Sequence, residues 1–199
     1  MMKNIGQEMY DWAVDLFPIN RSITGNGVRQ TLNYIKDIVP EMNIIEVPSG
    51  TKCFDWTVPK EWNCDDGYII DPDGNKICDF KNNNLHVVGY STPIDKEIEY
   101  EELIEHLYHI EDQPTAIPYI TSYYSERWGF CLSSNKFKKL KKGTYKVKIN
   151  SELKDGNLTY GEIKIKGESE KEIFLSTYVC HPSMANNELS GPVVTTALV

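Results

Sequence analysis

Apolar residues recur at helical spacing in two stretches at the start of the chain. The first stripe consists of Ile5, Met9, Trp12, Ala13 and Leu16. The second consists of Val28, Leu32, Ile35 and Val39. Both stripes predict amphipathic helices, the first over 4–17 and the second closed by Pro40. Pro18 should end the first helix, because the residue before a proline disfavours the α conformation.

From residue 42 the pattern changes to short apolar or alternating runs, which are typical of strands. These runs lie at 42–47, 68–70, 77–80 and 85–90. The turn residues Asp71-Pro72-Asp73-Gly74-Asn75 separate the second run from the third, so this stretch predicts a hairpin. Residues 99–110 return to helical spacing and predict a helix, and a short helical turn should begin near Ser133.

The last third of the chain contains three more predicted strands, at 144–149, 158–165 and 172–179. The first two alternate between apolar and polar residues, as half-buried strands do. The third is more continuously apolar, which predicts a central strand that is buried on both faces.

Composition narrows the class of protein. The chain has 199 residues with 21 basic and 29 acidic side chains, so its formal net charge is −8, and 40% of its residues are hydrophobic. These values are ordinary for a globular protein. No apolar run is long enough for a membrane helix, and the polar N-terminus is unlike a signal peptide. We therefore expect a cytoplasmic protein with no membrane partner, and the acidic balance argues against a nucleic-acid partner.

The five cysteines are widely spaced and include no CxxC pair, so we expect reduced thiols. His86 is interpreted as structural, and His106 and His109 as surface residues. A group of aromatic residues could stack on a sugar ring, but burial in a core is favoured because aromatic side chains dominate core burial. The group consists of Trp56, Trp62, Tyr123, Tyr124 and Trp128.

The residues that follow the predicted central strand carry the clearest chemistry. His181 comes directly after the strand, within Cys180-His181-Pro182-Ser183. A polar loop with a carboxylate follows, and then an apolar helix that Ser190 could cap, with Pro192 in its first turn. Ligands in open α/β sheets bind at the carboxyl ends of strands, so this order predicts a metal site. The last helix has no stop signal, which predicts a longer protein; a naturally short protein with a ragged end is the alternative.

A second candidate site precedes the second predicted helix. Arg21, Thr24, Gly25 and Arg29 lie in or next to a turn at a helix N-terminus, where backbone N–H groups favour an anion. One interpretation is a pocket for a substrate carboxylate or phosphate. The other is an ordinary turn that uses its glycines for positive φ.

Five segments of the chain resemble bacterial proteins with an aminopeptidase-like domain, which are often labelled as polysaccharide-biosynthesis proteins. These segments are LFPINRSITGNGVRQTL at 16–32, TKCFDWTVPKEWN at 51–63, NNLHVVGYSTP at 83–93, QPTAIPYITSYYSERWGFCL at 113–132 and STYVCHPSMANNELSGP at 176–192. The family is similar in fold to zinc exopeptidases of the bacterial leucyl aminopeptidase type.

The resemblance implies a three-layer α/β/α domain of zinc-exopeptidase type, incomplete in this chain, with a smaller β-rich inserted domain. It places the helical part of the main domain at 1–45, the lid-like insertion at 46–135 and the start of the central sheet at 136–199. In the family's longer proteins a winged-helix domain follows.

The resemblance also implies a zinc site with one or two ions. His181 matches the first zinc-binding histidine of the exopeptidases, and Asn187 stands where they carry a carboxylate that bridges two zinc ions. Glu188 could replace that carboxylate as a ligand, the site could hold one zinc, or hydrolysis could have been lost. Ser183 stands where the exopeptidases carry an aspartate that orients the ligand. The remaining ligands and the general-base glutamate are expected beyond residue 199.

The resemblance therefore implies a zinc-dependent hydrolase that acts on a small peptide or on an amide-bearing sugar. Residues 1–199 alone should bind zinc weakly and be inactive, because zinc needs about four ligands. The alternative is an inactive peptidase fold that binds a small ligand or regulates. A homo-oligomer is one arrangement that the sequence leaves open.

Overall fold

The protein is described from a computed structural model that covers residues 4–199. Two compact units are present, and each is described by itself. The first consists of residues 4–61 and 155–199, and the second of residues 62–154. The described residues form a mixed α/β structure with small sheets. No helix in this part of the chain is long and apolar enough to cross a membrane.

The helices are α1 (Ile5–Leu16), α2 (Asn26–Ile38), α3 (Tyr100–Leu103), α4 (Ser134–Phe137) and α5 (Ser190–Leu198). The strands of the first unit are β1 (Asn43–Pro48), β2 (Lys52–Cys53), β3 (Trp56–Thr57) and β10 (Asn157–Glu162). Those of the second unit, apart from Glu61, are β4 (Glu61–Ile70), β5 (Lys76–Ile77), β6 (Ile94–Glu99), β7 (Leu107–Tyr108), β8 (Phe130–Cys131) and β9 (Thr144–Lys154).

Two apolar clusters hold the first unit together. In one, the buried stripe of α2 packs with Met42, and partly buried Ile44 of β1 lies against this cluster. β1 and β10 pair in antiparallel fashion, with Asn43 opposite Glu162. In the other, Leu16 of α1 packs against Leu189 and Val193. The second cluster therefore ties the start of the chain to α5 and to the turn before it.

The second unit is built on a four-stranded sheet with the order β5-β4-β9-β6. β4 and β5 pair in antiparallel fashion with Ile69 opposite Ile77, which confirms the predicted hairpin. Asp71 organises the turn by accepting hydrogen bonds from the backbone N–H groups of Asp73 and Asn75. The predicted strands at 144–149 and 158–165 correspond to β9 and β10.

Two predicted elements of the second unit are wrong. The stretch 85–90 begins as a 3₁₀ turn, Asn84–His86, and makes only isolated bridges at Val87 and Gly89. The side chain of Asn83 accepts a hydrogen bond from Leu85 N, which is a local alternative to strand pairing. The predicted helix 99–110 is reduced to α3 and a 3₁₀ turn, because the chain then enters β7 and pairs in parallel with β8.

The predicted central strand at 172–179 is also wrong for the described residues. This stretch forms no ladder there, and Ile173 and Phe174 are 93% and 87% exposed. Apolar character alone does not make a strand, since each backbone N–H and C=O also needs a partner. The three-layer arrangement and the domain boundaries stay predictions.

Some of the remaining predictions about single residues are confirmed and others are wrong. All five cysteines are free thiols, as predicted. His86 is buried, with Nδ1 2.7 Å from the Cys131 carbonyl, in keeping with a structural role. His106 and His109 are not simple surface residues, because their rings stack on Trp128 and Phe137. Among the predicted aromatic core, Trp62 is 2% exposed whereas Tyr124 is 85% exposed.

Candidate metal centre

A cysteine, a histidine and a glutamate come together in the first unit. The potential ligand atoms of Cys180, His181 and Glu188 all lie within 4.8 Å of one another. Sequence analysis identified His181 and Glu188 but missed Cys180. The available signal is its position next to His181 in the sequence, whereas the wide spacing of the cysteines and the lack of a CxxC pair favour incidental thiols.

Irregular backbone brings these side chains together. Ser183 has a φ of 40°, which is uncommon for a residue other than glycine and turns the chain sharply after His181. Residues Ala185–Leu189 then form a π-helical turn that places Glu188 inside and Asn187 outside. Such turns occur often at functional sites.

The predicted cap of α5 is wrong. Ser190 Oγ donates a hydrogen bond to the Asn186 carbonyl at 2.5 Å and does not cap the helix. The helix continues directly from the π-helical turn, so no separate cap is needed. Pro192 lies in the first turn of α5, as predicted. The side chain that follows Glu188, Leu189, is buried against α1, which anchors the turn.

His181 and Glu188 form the central contact. His181 Nδ1 lies 2.8 Å from Glu188 Oε2. A carboxylate can only accept, so the ring donates from Nδ1. Glu188 has no exposed side-chain surface, whereas 22% of the His181 side chain is exposed. The carboxylate therefore lies behind the ring, and the ring reaches solvent.

Arg21 reaches both members of this pair. Its Nε donates to the His181 carbonyl at 3.0 Å and lies 3.6 Å from Glu188 Oε1. Its Nη1 donates to the Leu16 carbonyl at 2.7 Å, at the C-terminus of α1. Burial lowers the pKa of Arg21, with the Glu188 charge acting in the opposite direction. Within residues 4–199, Arg21 Nη2 and Glu188 Oε1 have no hydrogen-bond partner.

Cys180 completes the cluster as a protonated thiol. Burial raises its pKa to about 12, and the nearby Glu188 carboxylate adds to the rise. Its Sγ lies 3.5 Å from His181 Nδ1, the same ring nitrogen that contacts Glu188. A cysteine–histidine–carboxylate relay uses both ring nitrogens, one for each partner. This arrangement therefore does not support a cysteine nucleophile.

The other predicted site residues lie apart from this contact. Asn187 is exposed on the turn that buries Glu188. Thr24 is buried, and Gly25 precedes α2 with a φ of 95°. Arg29 binds Glu61 through two hydrogen bonds of 2.9 and 2.6 Å. An anion-binding role for Arg21, Thr24, Gly25 and Arg29 stays a prediction; for Arg21 the nearest anion is Glu188.

Among Cys180, His181 and Glu188, only His181 is placed to serve as a zinc ligand. In a neutral histidine that donates from Nδ1 to a carboxylate, Nε2 is the nitrogen that can bind zinc. Glu188 directs its oxygens at His181 and Arg21, and Cys180 Sγ lies 3.5 Å from the same ring nitrogen, Nδ1, that contacts Glu188. Since zinc needs about four ligands, these residues fit one ligand of a larger set.

Comparison with known proteins identifies the class. Residues 10–199 match the family described as "Domain of unknown function (DUF4910)", and the chain belongs to this family. A curated protein of Clostridium acetobutylicum, named "Putative polysaccharide biosynthesis protein with aminopeptidase-like domain", is 54% identical over 191 residues. That match covers 96% of this chain and 44% of the relative.

A solved structure agrees with the fold. The crystal structure of a "putative peptidase" from Clostridium acetobutylicum superposes with a TM-score of 0.93 at 53% identity. The match covers 97% of this chain and 46% of that one. The chain thus spans less than half the length of either relative, and its resemblance to aminopeptidase-like proteins is confirmed at the level of family and fold.

Proposed function

We propose that this chain supplies one metal-binding histidine, His181, to a zinc-dependent hydrolase of the aminopeptidase-like class. The observation that carries the proposal is the 2.8 Å contact between His181 Nδ1 and the buried Glu188 carboxylate. Histidines that bind metals commonly donate their other ring N–H to such a carboxylate. The peptidase naming of the relatives supports the hydrolase class.

The described residues have separate tasks in this proposal. His181 would hold the ion, Glu188 accepts the Nδ1 proton, and Arg21 fixes the His181 backbone. When bound, zinc would lower the pKa of a water molecule and polarise the amide carbonyl. The remaining ligands and the general base are expected from the part of the relatives' length that this chain does not match.

The proposed substrate is a small peptide or an amide on a modified sugar, and the proposed location is the cytoplasm. The sugar is included because the curated relative is named for polysaccharide biosynthesis. In either case the scissile bond is an amide, so one metal-activated water serves both. Parallel assays with aminoacyl amides and with N-acyl sugars would separate the two substrate classes.

The test is metal content in the protein expressed from its complete gene and purified without chelators or nickel resin. We expect about one or two zinc ions per chain, measured by elemental analysis, and their loss in His181→Ala. His109→Ala is the matched control, since His109 is half-buried against Phe137 in the other unit. Zinc that persists in His181→Ala, or a protein without metal, would refute the proposal.

A specific observation also favours an inactive binding or regulatory protein as a second candidate. Asn187 is an exposed neutral amide where the exopeptidases are expected to carry a bridging carboxylate, and Ser183 replaces an orienting aspartate. Two neighbouring dications need negative charge between them. A protein without metal whose His181→Ala variant still binds small ligands would support this candidate.

A further inference from the structure

We propose that Glu188 is a positioning residue for His181 and not a zinc ligand, and that Arg21 holds Glu188 in this role. The inference rests on the proposed function, because it assigns tasks around the same histidine. It replaces the expectation that Glu188 or Asn187 serves as a carboxylate or amide ligand.

Both carboxylate oxygens of Glu188 face other groups. Oε2 accepts from His181 Nδ1 at 2.8 Å, and Oε1 lies 3.6 Å from Arg21 Nε. Neither Glu188 nor Arg21 has exposed side-chain surface. An ion that arrives from solvent would have to displace Arg21 or break the histidine contact before it reached a Glu188 oxygen. The His181 side chain is 22% exposed, so an ion from solvent reaches it before the buried Glu188 carboxylate.

Arg21 fixes the two ends of the contact at once. The same Nε donates to the His181 backbone carbonyl at 3.0 Å and faces the Glu188 carboxylate. A hydrogen bond from Nη1 to the Leu16 carbonyl also anchors the guanidinium to α1. Because the backbone of one partner and the side chain of the other share one rigid planar group, the ring orientation is set before a metal binds.

This assignment gives Glu188 the task that Ser183 does not perform. Ser183 follows His181 by two residues, is partly exposed, and has the strained φ of 40°. A serine hydroxyl lacks the charge that makes a carboxylate raise the basicity of a metal-binding imidazole. The carboxylate is supplied instead seven residues after the histidine, from the π-helical turn.

The first experiment reads the tautomer of the His181 ring in the metal-free protein, expressed from its complete gene. Long-range ¹⁵N–¹H spectra of ¹⁵N-histidine-labelled protein at pH 8 should show His181 protonated at Nδ1. In the double variant Arg21→Met/Glu188→Met this signature should be lost. Replacing a whole buried ion pair by apolar residues is often tolerated, so this variant guards against simple unfolding.

The second experiment measures zinc affinity by competition with a chromophoric chelator. Loss of an orienting carboxylate typically lowers metal affinity about 10–100-fold, so Glu188→Gln and the double variant should fall in that range. His181→Ala should abolish binding at this site. Glu61→Gln is the matched control, since Glu61 is another buried carboxylate paired with an arginine in the same unit, and its affinity should match the wild type.

The outcomes separate the two proposals. Absent zinc binding, or binding that ignores His181→Ala, overturns the proposed function. Binding that needs His181 but is abolished equally by Glu188→Gln makes Glu188 a ligand and overturns only the inference. Unchanged affinity in Glu188→Gln, or a wild-type ring protonated at Nε2, also overturns only the inference.

Discussion

Among the described residues of the first unit, two arginine–glutamate pairs differ in burial and in hydrogen bonding. Arg29 and Glu61 share two hydrogen bonds, and Glu61 also accepts from Asn157 N at 3.2 Å. Arg21 and Glu188 approach only to 3.6 Å and share no hydrogen bond that satisfies Oε1. Hydrogen bonding to Glu61 raises the pKa of Arg29, whereas burial lowers that of Arg21.

The difference indicates separate purposes. The Arg29–Glu61 pair joins α2 to the last residue of the first segment of this unit and to the turn before β10, with the Arg29 side chain 26% exposed. It has the geometry of an ion pair that stabilises the fold, and we call Arg29 and Glu61 the structural pair. The Arg21–Glu188 pair is fully buried and leaves polar atoms unsatisfied, which costs stability. Groups held at such a cost are candidates for function.

The largest expected effect comes from Arg21→Met. It leaves the buried Glu188 without a cation, which typically destabilises a protein by about 3–5 kcal/mol. Urea unfolding followed by circular dichroism measures the loss. Arg29→Met is the matched control and should cost less, because Glu61 keeps its bond from Asn157 N and the pair is partly exposed. Equal losses in the two variants would remove the distinction between the pairs.

A smaller loss of stability is expected when a side chain added at Gly156 crowds Glu61 of the structural pair. A Cβ added at Gly156 would lie 2.7 Å from Glu61 Cβ and 2.5 Å from Glu61 Oε2. Gly156→Ala should therefore destabilise by about 1–3 kcal/mol, the usual cost of overpacking. Gly167→Ala, where nothing lies within 4 Å, is the control and should be close to neutral. Zinc affinity should stay unchanged in both variants. A loss of zinc affinity in Gly156→Ala would show that the structural pair is coupled to the metal centre.

The smallest effect concerns the thiol beside the Arg21–Glu188 pair. With its pKa raised to about 12, Cys180 should react slowly with iodoacetamide at pH 8, while the exposed Cys53 reacts first. Mass spectrometry of digests measures both. Arg21→Met should speed labelling of Cys180 by loosening the site, and Arg29→Met should not. Early labelling of Cys180 in the wild type would contradict the half-buried, protonated state.

The same thiol gives a pH dependence with a definite sign. The pKa of Cys180 is raised in the folded state from an ordinary value near 9, so folding favours the protonated form. Its contribution is therefore fully present below pH 9 and is lost as the pH rises toward 12. A Cys180→Ala variant should show a shallower fall in the free energy of unfolding over this range.

The sequence correctly predicted the elements that are determined by interactions between residues close in sequence. The stripes of α1 and α2 and the Asp71-centred hairpin are examples, because helical periodicity and turn residues act over a few positions. Where distant partners decide, prediction failed. Leu107–Tyr108 left the predicted helix to pair with Phe130–Cys131, and the apolar stretch 172–179 formed no ladder among the described residues.

The candidate site shows the same division. His181 and Glu188 were identified because a histidine and a polar turn with a carboxylate follow one another in the sequence. The contact of Arg21 with His181 could not be predicted, since the two residues lie 160 positions apart in the sequence. An arginine can bind an anion from solvent or hold buried neighbouring groups in place, and only the tertiary contacts of Arg21 distinguish the two roles.

The bond from Arg21 Nη1 to the Leu16 carbonyl makes the end of α1 part of the histidine's environment. When the last turn of α1 frays, the guanidinium loses an anchor, and the imidazole it steadies should sample other orientations. The helix terminus and the ring then belong to one thermodynamic equilibrium. His181 thereby becomes an internal reporter, whose spectrum registers the opening of a helix far from it in sequence.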